Sequence, residues 1–126
     1  MYISKKNVNK IQDLLESAIY SVDYYNRSNY DSNIFFRENH EKSNSKLGDC
    51  DFWIEYITGK LKALRSLRSG YDKYVKARNL GIDVNIFPYS VEFTSELVQQ
   101  SEIDNLVDNL ALWENRKESL FNKEVA

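Results

Sequence analysis

Residues 51–80 read DFWIEYITGKLKALRSLRSGYDKYVKARNL, and the fold class follows from how this stretch distributes its side chains. Placed about 100° apart, as successive helical residues are, Ile54, Ile57, Leu61, Leu64, Leu67, Tyr71, Tyr74 and Val75 gather on one broad apolar side. That is the three-and-four spacing of an amphipathic helix. A second line holds only small residues: Gly59, Ala63, Ser66, Gly70 and Ala77. Glycine inside a helix costs about 1 kcal/mol against alanine, so two on one edge point to a backbone that comes close there. The expected neighbour is another helix of the same chain, and the alternative is a seam with a second copy or a partner. The third face carries Lys62, Arg65, Ser69, Lys73 and Lys76. It reads as a solvated surface, with an anion or nucleic-acid contact as the alternative. Gly81 then stands where a left-handed residue stops a helix, after Lys76 and Arg78, whose charges suit the helix C-terminus. One unbroken helix over 51–80 is expected, capped by Asp49 or Asp51.

Upstream, Ser4 is the expected N-cap of a first helix. Val8, Ile11, Leu15, Ala18, Val22 and Tyr25 form its heptad seam, widened by Leu14 and Ile19. NRSNYDSN, residues 26–33, gathers turn formers, so this helix is expected to end near Asn26. Residues 26–50 then read as irregular, with a short apolar patch at Ile34, Phe35 and Phe36 followed by a polar surface loop. Downstream, Ile82, Val84 and Ile86 alternate with Asp83 and Asn85, and Pro88 favours an extended backbone before it. With no second strand to pair with, this is expected to be an extended crossover near 82–93. A short helix from Thr94 or Ser95 through Gln100 is expected next. Ser101-Glu102-Ile103-Asp104 resembles a capping box. Ile103, Leu106, Leu110, Trp113 and Leu120 mark a further seam, with Lys117 on one of its turns. The last helix is rich in acids and the 51–80 helix in bases, so the two are expected to lie together. The fold class is therefore all-α: a small helical bundle of three main helices around a long central helix, in a single domain over 1–126.

A chain of 126 residues with 42% hydrophobic and 29% charged residues fits one globular domain. The net charge of -2 gives no general pull toward nucleic acid or an anionic membrane. A single cysteine excludes an internal disulfide. There is no signal-peptide pattern and no apolar run of membrane-spanning length, which points to a cytoplasmic protein. Abundant Asn, Lys, Ile and Tyr, with their AT-rich codons, suit a low-GC bacterium, phage or other mobile element.

Catalytic patterns are sparse. The chain has no glycine-rich phosphate loop, no Cys-x-x-Cys and no His-Glu-x-x-His. Its one histidine, His40, lies in polar surroundings and reads as solvated. With Asp49, Cys50 and Asp51 it imitates a metal site, but aspartates before a helix more often cap it, and a thiol between two carboxylates is a poor nucleophile. No metal, cofactor or catalytic residue is expected. Arg68 falls within the apolar side and is a candidate buried charge; it then needs a carboxylate such as Asp72, Asp13 or Glu16. Its functional alternative is an anion-binding arginine in a cleft.

Aromatic residues crowd 20–36. Tyr20 and Tyr24 lie off the heptad seam, where tyrosine is a common interface anchor. Tyr20, Tyr24, Tyr30, Phe35 and Phe36 are the expected partner-binding residues; the alternative is an internal cluster made by the loop folding back. The leading functional expectation is a small accessory protein that binds another protein without catalysis, as an inhibitor, immunity factor, adaptor or assembly factor. A homodimer is a related expectation. The alternative is nucleic-acid binding through Lys62, Arg65, Lys73 and Lys76.

Overall fold

The computed structural model describes residues 3–83, 85–87 and 100–125, which form three helices: α1, Lys5–Asn39; α2, Lys46–Leu80; and α3, Gln100–Val125. No strand occurs among the described residues, and no described helix is long and apolar enough to cross a membrane.

α1 begins as its sequence implies, with the Ser4 hydroxyl accepting from the Asn7 N–H at 3.2 Å. It does not stop near Asn26, however, but runs 35 residues to Asn39. The polar residues that resemble a turn are used against α2. Ser32 is buried over Gly59, where a Cβ would come within 2.8 Å of its hydroxyl. Asn29 and Asn33 both accept from the Lys60 ammonium, at 2.6 and 2.7 Å. Such side chains weaken an isolated helix, yet between two helices they shorten the approach and supply the bonds. α1 closes at His40, whose backbone N–H bonds the Phe36 carbonyl at 3.0 Å.

The loop is therefore residues 40–45, not 26–50. Ser45, rather than Asp49 or Asp51, caps α2, its hydroxyl accepting from the Gly48 N–H at 2.9 Å. Asp49 falls in the first turn, where a carboxylate still suits the helix dipole. α2 continues through Gly70 without a break and ends at Gly81, whose φ of 105° is the left-handed conformation that glycine tolerates.

The short loop folds α1 antiparallel onto the small-residue line of α2. Ala63 and Ala77 are fully buried, and the Ser66 hydroxyl donates to the Ser21 carbonyl at 2.9 Å. Much of that line is thus covered by α1. At one end of the hairpin Ile11 and Leu15 pack on Ala77, Tyr74 and Phe87. α3 lies on another side of α2, with Ile103, Leu106, Leu110 and Trp113 against Trp53, Tyr56, Ile57, Leu61 and Leu64. Ser101 is a helical residue inside α3, so it is not the N-cap of a box.

The acid-rich α3 lies beside the base-rich α2, as expected, and an ion pair joins Lys117 of α3 to Asp51 of α2 at 2.6 Å. Two further expectations are corrected. Arg68 is not a buried charge: its side chain is 37% exposed, with Nε 3.5 Å from Asp72 and the guanidinium over the Tyr71 ring. A long side chain can leave an apolar face and carry its head outward. After Gly81, the Asp83 carbonyl accepts from the Ile86 and Phe87 N–H groups, making a turn that buries Phe87 and exposes Ile86 where alternation implied an extended chain. The rest of the expected crossover and the short helix before Gln100 lie outside the described residues.

Candidate interaction surface

The inward side of α1 is fixed by Ile11, Leu15, Ala18, Ser21 and Ser32, all buried. Tyr20 and Tyr30 fall off that side and stand 67% and 64% exposed. Tyr24, between them, is half-buried because Lys62 of α2 leans over it, with the ammonium 5.6 Å from the ring centre. The lysine also donates a hydrogen bond to the phenol. That bond holds the Tyr24 pKa below its ordinary value and raises that of Lys62. Two residues expected to serve different functions therefore hold each other.

Phe35 and Phe36 take a different position. Phe35 stacks on Phe52 with ring centres 5.5 Å apart. Phe36 meets Phe52, Trp53 and Tyr56, and stacks on His40 at 4.9 Å. Trp53 in turn stacks on Trp113 at 5.8 Å, so one aromatic cluster joins all three helices. The contribution of Phe52, Trp53, Tyr56 and Trp113 was missed in the sequence; its signal was the i, i+4 pair of Phe52 and Tyr56. Beside this cluster a shallow groove of about 240 Å³ opens between α1 and α2, lined by Asp31, Ser32, Phe35, Glu55, Gly59 and Lys62 among others.

The basic row is divided. Lys62 is engaged with Tyr24, and Lys73 reaches the buried Ser21 hydroxyl at 3.5 Å. Arg65 and Lys76 are exposed. Lys60, which sequence reasoning passed over, is drawn between α1 and α2 by Asn29 and Asn33, and its burial pushes its pKa down.

Among the described residues, His40, Cys50 and Asp51 each have separate surroundings. The His40 Nδ1 lies 2.8 Å from the Phe36 carbonyl and its Nε2 3.4 Å from Glu41, at the end of a helix. Cys50 is a free thiol, 2% exposed, and Asp51 is paired with Lys117. Among the described residues no three His, Cys, Asp or Glu side chains are grouped to hold a metal ion. No protein-family model matches the chain, and no characterised protein or solved structure is significantly similar to it.

Proposed function

We propose that this protein acts by occupying a surface of another protein, without catalysis, and that Tyr20, Tyr24 and Tyr30 on α1 make the contact. The observation that carries this reading is the exposure of Tyr20 and Tyr30, at 67% and 64%, on a helix whose opposite side is fully packed. A tyrosine ring presents a large apolar area and a polar tip at small entropic cost, which is why it recurs at interface centres. Phe35 and Phe36 support the same face from behind, by bracing the end of α1 against α2. A cytoplasmic inhibitor, immunity factor, adaptor or assembly factor fits this mode of action. The test is the Tyr20→Ser/Tyr30→Ser variant. Both side chains are exposed, so its circular dichroism and Tm should match the parent. A protein that co-purifies with the parent from host extract should be lost; undiminished recovery rejects the proposed surface.

Exposed Arg65 and Lys76 support a second reading, nucleic-acid binding along α2 with Lys62 and Lys73. Phosphate contacts make affinity fall steeply with salt. Binding that is absent at low salt, or indifferent to salt, rejects it.

A further inference from the structure

A second concavity, of about 310 Å³, lies where the first turns of α2 meet the last turns of α3. Its apolar wall is Trp113, Leu120 and the side chain of Cys50. Trp113 is held in place by its stack on Trp53, with rings 18° from parallel. The rim carries two cations. Lys46 is the first residue of α2, and the Arg116 guanidinium lies 4.7 Å from the centre of the Trp113 ring, which places it beside the apolar wall. One carboxylate, Asp49, opposes them. Asp51, the next acid along α2, is already paired with Lys117 at 2.6 Å.

We propose that this cavity binds a small amphipathic anion: a carboxylate on a short hydrocarbon or single-ring body. The apolar body lies against Trp113 and Leu120, and the carboxylate meets Arg116 and Lys46. Each part is needed to choose the ligand. Exposed cations alone hold an inorganic anion weakly, and a neutral apolar ligand leaves both cations unused. A cationic ligand meets a net positive rim. The volume is at the small end of the range of ligand pockets, which limits the body to a medium chain or one ring. Arginine and a bidentate carboxylate also match in geometry.

Titration calorimetry with octanoate, octanol and acetate tests the site on the full chain. Octanoate should bind one to one, acetate should not bind measurably, and octanol should bind at least about fivefold more weakly, as expected from losing favourable charge contacts. The Lys46→Glu/Arg116→Glu variant changes only exposed residues. It should weaken octanoate about tenfold, by reversing two such contacts, and leave octanol unchanged. Ser119→Trp, at another lining position, should fill the cavity and abolish both. Tyr20→Ser/Tyr30→Ser should bind octanoate as the parent does, because this site does not depend on the tyrosine face. Octanol binding as tightly as octanoate, parental affinity in the double charge variant, or no saturable octanoate binding below its self-association would overturn the proposal.

Discussion

At Gly59 the two long helices pass with no room for a side chain unless Ser32 shifts. A Cβ there would sit 2.8 Å from the Ser32 hydroxyl, a short side chain that is itself buried. Gly59→Ala adds one methyl group against that oxygen while gaining helix propensity of about 1 kcal/mol. The two effects oppose, so denaturant unfolding should show a change within about 1 kcal/mol. Gly59→Leu cannot be accommodated by a hydroxyl rotation and should destabilise by about 1–3 kcal/mol. Equal stability of the leucine variant would mean that α1 does not lie there. A second local contact is visible to titration. Tyr24 ionises more readily because Lys62 bonds its phenol, and Lys62 holds its proton longer. Just below pH 10 the folded state therefore binds fewer protons at Tyr24 than the unfolded chain does, and the contribution of this contact to stability rises with pH. It is lost again as pH passes the folded value of Lys62, which lies above 10.5. Ultraviolet titration should show one tyrosine ionising early, and Lys62→Ala should remove that component.

Among the helices, α2 was legible because its three kinds of residue repeat at helical spacing: apolar Ile57 and Leu61, small Gly59 and Ala63, basic Lys62 and Arg65. The second half of α1 was not. Asn29, Ser32 and Asn33 are turn formers judged alone, and only the Lys60 ammonium and the Gly59 backbone, supplied by a distant part of the sequence, make them helical. The same error hid the small cavity, since Lys46 was read as loop when it opens α2. Tyr20 was legible as a candidate because it falls off the heptad seam, and Tyr30 because aromatic residues crowd 20–36. The bond between Tyr24 and Lys62 was not, because it joins two helices whose register no periodicity fixes. Amide hydrogen exchange should find 29–36 protected to a degree similar to 56–63, and rapid exchange across 29–36 would restore an α1 that ends near Asn26.

Taken together, the chain is an antiparallel hairpin with a third helix laid on one of its sides. Ile11, at 0% exposure, belongs to the cluster that ties α1, α2 and Phe87. Ile11→Ala should cost about 2–5 kcal/mol, with global unfolding as the readout. α3 buries Ile103 against Ile57 and Leu61, and most of its other residues are exposed. Elements with few buried apolar contacts open first, so α3 amides should exchange before those of the hairpin. Such opening leaves the tyrosine face on α1 intact, which keeps the proposed contact independent of α3. A photo-crosslinking residue placed at position 20, at position 30 and, as a control, at Asn109 on the exposed side of α3 probes that contact in the native host. Positions 20 and 30 should capture the same discrete protein and position 109 should not. Capture from 109 alone, or none from either tyrosine position, would contradict the reading of α1 as the surface through which this protein acts.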